Sequence, residues 1–380
     1  MAGSALVGEL TNSTARGLAL AGAGDDAALR ALLRRTVLPG AVRVAFTREP
    51  DYFAGEGLAG AEDVTVVARR DGSVVAMGRY SVHRWHRNGR VQRIGYLGEL
   101  RIAPGTPSAA RLLRDGYAFL ADVASRDHID GFVTSITDDN VRARRVLEQG
   151  RRFGLPSYRV LAPLVTLMAP VRSTVSGSAG STRTIDAMCR PDEVDELTGF
   201  LRGQAEGTQL SLAWNAEQWT ALARHGVTAG DFCVVRREGR IVGAAAVWDQ
   251  RAFRQTIVDG YSGVLQLALP LLNMLQAVRG LPSLPRPGSV LPQGALLGAC
   301  VQRSSDWSTL WPALLERART MGLSWLTITR ASADPELAIL RRLARAREYR
   351  TSLYHVIWRD RPTWSDPWDT RIVRPEVGLL

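Results

Sequence analysis

Glu99 lies in the run YLGELRIAPGTPSAARLL, residues 96–113, with Leu97, Leu100 and Ile102 around it. A carboxylate among apolar neighbours has its charged form disfavoured, which raises its pKa toward the range useful for taking a proton. The ordinary alternative is an ion pair with Arg101 or another arginine. Tyr158 and Tyr96 are phenols that could hand a proton to a leaving group, set against a plain place in the core or at its rim. Behind Glu99 a Pro-Gly-Thr-Pro turn leads into a helix that opens on Ser108, Ala109, Ala110 and Arg111. A helix start offers unpaired N–H groups and the positive end of the dipole, a setting for phosphate. The same stretch also reads as a capped strand-to-helix turn, with Thr106 as N-cap and Pro107 in the first helical position. Neither a GxGxxG pattern nor a phosphate-loop lysine accompanies it.

Residues 79–93, RYSVHRWHRNGRVQR, interleave Arg79, Arg84, Arg87, Arg90 and Arg93 with Trp85, His83 and His86. A basic hairpin with aromatics between its charges can grip phosphates and stack a base; the alternative is a solvated hairpin face. No third ligand lies near the two histidines, so no metal site is expected. Asn140 follows Asp138 and Asp139, where it either caps a helix or reaches a ligand. There is no Gly-x-Ser-x-Gly elbow and no Cys/His constellation.

These residues need strands and turns to hold them. Asp71-Gly72, Asn88-Gly89 and Glu238-Gly239 each stand between strand-like runs and predict hairpins. In the first half, strands are expected at 42–47, 63–70, 74–82, 131–137 and 158–169, with helices at 25–36, 108–127 and 139–150. A Ser/Gly/Thr-rich stretch near 171–184 reads as a linker. After it the same order returns without close identity: helices near 191–204, 216–225, 307–321 and 335–346, and strands near 184–189, 231–248, 294–302, 323–331 and 351–358. The Pro-rich segment 279–293 reads as a surface loop. This organisation implies a lead-in over 1–24, a first domain over 25–170, a linker over 171–183, a second domain over 184–360 and a tail over 361–380.

At 380 residues with 46% hydrophobic and 22% charged, the chain has material for two domains. The net charge is +11, carried by arginine without a single lysine. That absence follows from a GC-rich coding bias, or removes amines from a protein that handles activated acyl groups. The positive balance favours anionic partners: coenzyme phosphates, an acidic carrier protein or RNA. No apolar run reaches the ~20 residues of a membrane span. No secretory pattern opens the chain, and Cys189, Cys233 and Cys300 are scattered, so a cytoplasmic location is expected.

LGELRIAPG with its helix, and DDNVRARRVLEQG with the strand after it, in this element order, resemble the GCN5-related N-acetyltransferase (GNAT) superfamily. The resemblance runs over about residues 25–360 and occurs twice. It implies an α+β fold with a mixed α/β sheet: two tandem GNAT-like domains, each a mostly antiparallel sheet flanked by helices. It implies a splayed strand with pantetheine near Leu100, Arg101 and Ile102, and pyrophosphate near Ser108, Ala109, Ala110 and Arg111. Asn140 and Ala143 match the Asn-x-x-Ala helix, Glu99 stands where a base is often found, and Tyr158 is a candidate acid. The family's Arg/Gln-x-x-Gly-x-Gly/Ala turn is eroded here to Pro107, Ala110 and Leu112. Leu147 replaces a tyrosine often found on the Asn helix, and QRSSDWST (302–309) has no glycine turn, so the second domain reads as a supporting partner.

The implied function is transfer of an acyl group from acetyl-CoA or another acyl-CoA to a small-molecule amine by direct attack. An aminoacyl-tRNA-dependent amide-forming transferase is the alternative, with Arg79, Arg84, Trp85, Arg87, Arg90 and Arg93 as its anion surface. A third possibility is a binding protein that keeps the fold without catalysis. A monomer forming a pseudo-dimer, or a homodimer, fits the internal repeat.

Overall fold

The computed structural model describes residues 17–172, 187–359 and 363–380. Most of the lead-in and of the linker, with much of the strand expected near 184–189, lies outside the described residues. Strand β1 (Leu18–Leu20) precedes helix α1 (Asp26–Arg35) and β2 (Val42–Thr47). Then come β3 (Glu62–Arg70), β4 (Ser73–Arg87), β5 (Arg90–Ile102), α2 (Ala109–Ala124), β6 (Gly131–Thr137), α3 (Val141–Glu148) and β7 (Ser157–Pro170). The second half holds α4 (Val194–Glu206), α5 (Ala216–Arg224), β8 (Phe232–Arg237), β9 (Arg240–Trp248), β10 (Gln255–Tyr261) and α6 (Gly263–Val278). It closes with β11 (Gln293–Val301), α7 (Trp307–Thr320), β12 (Trp325–Ala331), α8 (Leu337–Ala344) and β13 (Arg347–Ile357). Among the described residues no helix is long and apolar enough to cross a membrane.

The hairpin expectations hold for a local reason. Asp71-Gly72, Asn88-Gly89 and Glu238-Gly239 all have positive φ at both residues, the backbone that a two-residue hairpin loop needs. Helix α2 buries Leu112, Tyr117, Leu120 and Val123 along one stripe against the sheet. Strands β9 and β12 are buried almost throughout, and their apolar runs lack polar alternation because both faces are covered.

Eleven strands form a single sheet in the order β1-β3-β4-β5-β6-β13-β7-β12-β11-β9-β8. Among the described strands only β5–β6 and β11–β12 pair in parallel. The strands of the two halves do not stay apart. β13, the last strand of the second half, lies between β6 and β7 of the first, and β7 reaches on to pair with β12. This central β13–β7 pair runs from Ile357↔Ser157 to Arg347↔Met168 and joins the halves through backbone hydrogen bonds. Strands β2 and β10 form a separate two-stranded ribbon, again one strand from each half.

Three apolar clusters fix the layers. One lies between the halves around Trp85, Ile94, Leu212, Trp214 and Trp248. A second, in the second half, packs β7, β9 and β12 against Trp307, Leu310 and Trp311 of α7. A third packs α2 on β4–β6.

Candidate functional site

The site begins where β5 leaves β6. The parallel pairing covers only Ile94↔Gly131, Gly95↔Phe132 and Tyr96↔Val133. Beyond it Thr134 Oγ1 donates to the Leu97 carbonyl at 2.7 Å, and the strands then part. On the other edge β5 carries a bulge against β4 between Met77 and Arg79, and Glu99 adopts φ 52° there. An extra residue in the left-handed region re-aims a strand and its side chains. A cavity of about 440 Å³ opens at this point, lined by residues 97–102 and 134–137 and by Leu112, Leu113, Gly116 and Tyr117 of α2. From the second half Trp248, Gln250, Arg254, Thr329, Tyr349 and residues 377–380 complete its wall.

Glu99 is an ion-pair partner rather than a high-pKa base, which corrects the expectation drawn from its sequence neighbours. Arg48 Nε lies 2.6 Å from Oε1, and the Tyr52 hydroxyl donates to Oε2 at 2.8 Å. Burial pushes the Glu99 pKa up, but Arg48, Arg79 and Arg254 outweigh it, and with the Tyr52 hydrogen bond they hold it at about 2. Arg48 and Tyr52 lie in TREPDYF, a stretch that no motif or periodicity singles out, so sequence reasoning missed both. Arg254, equally unforeseen, donates to the carbonyl of Gly378 at 3.2 Å and to the main-chain oxygen of Leu380 at 2.5 Å.

Next to this group Arg79 pairs with Asp63, which also accepts from Ser81 Oγ and, at 2.7 Å, from the Gly57 N–H. Arg79 Nε and Nη1 are buried without a hydrogen-bond partner, as are both ring nitrogens of His83. His83 stacks on Trp85 at 4.5 Å, and burial lowers its pKa to about 4, so the ring is neutral at pH 7. Arg79, Ser81 and His83 all line the cavity.

Tyr158, at the start of β7, shares a hydroxyl-to-hydroxyl hydrogen bond with Tyr117 of α2, and both line the cavity. Burial first, and then the neighbouring phenol, push the Tyr158 pKa well above its ordinary value. The Tyr117 pKa rises to about 12. Tyr96 also lines the cavity, its hydroxyl 2.7 Å from Ser135 Oγ.

Leu100, Arg101, Ile102 and Asn140 line the cavity. Asn140 is also the N-cap of α3, its Oδ1 accepting from the Ala143 N–H at 3.2 Å. The turn before α2 differs from the expected capping. The helix starts at Ala109, and Thr106 turns its hydroxyl to the Ala103 carbonyl at 2.7 Å. The N-cap is Ser108, in the left-handed region at φ 53°, and its side chain makes no cap hydrogen bond. Ser108, Ala109, Ala110 and Arg111 do not line the cavity; Ser108, Ala110 and Arg111 are exposed beside it.

Much of the basic hairpin is covered, which sets it apart from the open anion surface expected of it. Arg79, Trp85 and Arg87 are buried, as are His83 and His86. The hairpin pairs with the second half: the His86 N–H donates to the Ser211 carbonyl, and the Ala213 N–H to the Arg84 carbonyl. Arg87 bonds Asp366 and lies over the rings of Trp364 and Trp368 at 4.9 and 5.4 Å. Arg93 pairs with Glu62, and Arg84 lies 3.7 Å from Glu217. Arg84 and Arg90 are the exposed members of the set. The alternative of a solvated hairpin face meets the same limit, since the second half and residues 364–369 cover Trp85, His86 and Arg87. Among the described residues no group of three or more His, Cys, Asp or Glu is placed to hold a metal ion.

The second half repeats the strand geometry with different filling. β11 pairs with β12 only from Gln293 to Ala295 and bulges between Leu297 and Cys300, with Gly298 at φ 60°. The Gly298 N–H donates to the carboxylate of Glu376, and Asp306 accepts from the Arg303 N–H at the start of α7 while pairing with Arg237.

No protein-family model matches the sequence, and no curated protein does either. Solved structures do. The chain is similar to Saccharomyces cerevisiae N-myristoyltransferase with bound myristoyl-CoA, at 9% identity and TM-score 0.57 over 94% of this chain and 89% of that one. It is also similar to a GCN5-related N-acetyltransferase from Sphaerobacter thermophilus, at 13% identity and TM-score 0.47 over 81% and 84%. A GNAT-family acetyltransferase from Colwellia psychrerythraea matches at 10% identity and TM-score 0.46 over 90% and 99%. At such identity the likeness to the N-myristoyltransferase is one of fold, and it agrees with the parted strands and mostly antiparallel sheet that the GNAT resemblance implies.

Proposed function

We propose that the protein is an N-acyltransferase that moves an acyl group from a CoA thioester to the amine of a small polar acceptor. The observation that carries this is the parting of β5 from β6 just before the bulge at Glu99, which opens one cavity between α2 and the wall of the second half. The residues fit the donor. The main chain of 97–102 has lost its β6 partner and can pair with a pantetheine arm. The uncapped start of α2 faces solvent beside the cavity, where its free N–H groups suit a pyrophosphate. Pro107 offers no N–H, so Ala109, Ala110 and Arg111 would carry that contact. Asn140 stands on the same wall. The thioester supplies the activated carbonyl; the rest is the work of the chain.

The acceptor enters from the side of Arg79, Ser81, His83 and Tyr349, where the lining is polar. Glu99, ionised at any working pH, positions Arg48 and Tyr52 and sets the local field; it is no base. The amine therefore attacks as its own neutral fraction. Tyr158 stays protonated and lies on the α2 wall, suited to return a proton to the departing thiolate. The second half completes the acceptor wall. Asp306 holds the start of its own helix, where an anion would otherwise sit.

The test is a side-by-side titration with acetyl-CoA, longer acyl-CoAs and bulk tRNA at low and high salt, followed by thiol release against a panel of amines. Micromolar acyl-CoA binding with amine-dependent thiol release is expected. Salt-sensitive tRNA binding with no CoA response would overturn this reading in favour of an aminoacyl-tRNA donor. Binding of CoA without thiol release from any amine would leave a non-catalytic binding protein.

A further inference from the structure

Helix α6 is the largest apolar anomaly of the molecule. Its sixteen residues, GVLQLALPLLNMLQAV, contain no charged side chain, and none is buried. One face rests on β10 and the loop after the helix: Leu265, Leu269 and Leu272 pack on Val258, Tyr261 and Leu284. The opposite face is bare. Val264 is 84% exposed, Leu267 86%, Leu271 57%, Met274 59%, Leu275 42% and Val278 83%. Steps of three and four residues keep these within an arc of roughly 100° along a helix about 24 Å long. Contiguous apolar patches of that kind on a water-exposed surface mark an interaction site.

The order of the exposed residues identifies the occupant. Val264 and Val278 stand seven residues either side of Leu271, and Leu267 and Leu275 stand four either side. Met274 aside, whose mirror position is Ala268, the stripe therefore reads Val-Leu-Leu-Leu-Val in both directions. An antiparallel twofold pairing about Leu271 then sets like side chains against like, each contact appearing twice. A membrane-surface helix presents basic residues beside its apolar face. Here the helix has none; its flanking charges are Asp259, held by Arg43, and Arg279.

We propose that α6 is the seam of a homodimer, packing antiparallel on the α6 of a second copy. Leu271 meets its own copy at the axis, Val264 meets Val278 of the second copy, and Leu267 meets Leu275. One helix face is smaller than the ~800 Å² per partner of a standard interface, which places it with the weak, transient contacts. Because α6 packs on β10, and β10 pairs with β2 next to Arg48, the dimer braces the ribbon at the edge of the cavity.

The experiment is sedimentation equilibrium of the full chain between about 1 and 100 μM, a range suited to weak contacts. The expected mass climbs from 41.5 kDa toward twice that value. Leu271→Arg, which sets two like charges face to face at the axis, keeps the mass at one chain with an unchanged melting temperature. Leu267→Glu with Leu275→Lys in one chain restores the two-chain mass in low salt, since the antiparallel register pairs each Glu with a Lys. Should Leu271→Arg fail to fold, Leu271→Cys is the second variant: mild oxidation yields a disulfide-linked dimer, the native Cys189, Cys233 and Cys300 being buried. A wild-type mass of one chain at every concentration overturns the proposal, as does a dimer that survives Leu271→Arg. Wild type that stays monomeric yet co-sediments with phosphatidylglycerol vesicles through Leu271 overturns it in favour of a lipid surface.

Discussion

Glu99 and Gly298 hold the same left-handed bulge position in the two halves, each three residues past the last parallel pair of its strand. At Gly298 the missing side chain is needed twice over. The backbone sits at φ 60°, and a Cβ there would lie 2.9 Å from both Phe232 and Trp214. At Glu99 the same backbone carries a full side chain, at a cost of about 1–2 kcal/mol, retained because Arg48 and Tyr52 bind the carboxylate. Gly298→Ala is expected to destabilise the protein by about 2 kcal/mol or more, read as a lower urea midpoint.

The pH profile separates an ionised Glu99 from a titrating base. Its pKa of about 2 means that it does not change charge above roughly pH 4. The acidic limb of kcat/KM is expected to follow the pKa of whichever amine is supplied, and Glu99→Gln is expected to lower the rate about tenfold without moving that limb. An acceptor-independent limb near pH 6 that vanishes in Glu99→Gln would show a base there instead.

Tyr158→Phe removes the hydroxyl that meets Tyr117. A drop in kcat of about a hundredfold is expected, with little change in acyl-CoA affinity. The loss should shrink for donors whose thiol is a better leaving group, which a packing role would not produce.

Ser108→Asp copies onto α2 the carboxylate that Asp306 places at α7. Filling the bare cap is expected to stabilise the helix by about 0.5–1 kcal/mol. The same charge should weaken acyl-CoA binding at least tenfold, so that melting temperature and affinity move in opposite directions.

Glu99 and Glu376 give stability opposite slopes with pH. The Glu99 pKa is depressed from 4.5 to about 2, so its contribution is present above pH 4.5 and fades as the pH falls toward 2. Burial lifts Glu376 from 4.5 to about 7 despite Arg330 and the Gly298 N–H. The folded state then holds a proton that the unfolded chain has lost, so stability falls as pH rises from 4.5 to 7. Glu376→Gln is expected to abolish that slope and to be more stable than wild type by about 2 kcal/mol at pH 8, measured by urea unfolding.

Much of the local structure was legible in the residues. Asp71-Gly72, Asn88-Gly89 and Glu238-Gly239 name their turns because the positive φ is required at those two residues alone. The stripe of Leu112, Tyr117 and Leu120 names α2 because one face is wet and one dry. Neither β10 nor α6 was legible. Helix α6 carries only three polar residues, Gln266, Asn273 and Gln276, none of them charged, and Pro270 lies within it, so its periodicity is weak. Part of the cavity lining was also readable, Glu99, Asn140 and Tyr158 among it, since a turn and a resemblance pointed to them. Arg48, Tyr52, Asp63 and Arg254 were not, because nothing in their own neighbourhoods distinguishes them.

By itself, the sequence determined most of the elements and their order, β10 and α6 excepted, for these rest on contacts between near neighbours in the chain. Only the tertiary structure decided the charge state of Glu99, whose sequence neighbours are apolar while its neighbours in space are arginines. It also decided that the Arg79–Arg93 hairpin lies under the second half, and that β13 crosses to stand between β6 and β7. Burial and electrostatics depend on what packs against a residue, and here the partner comes from more than a hundred positions away, as with Arg87 and Asp366.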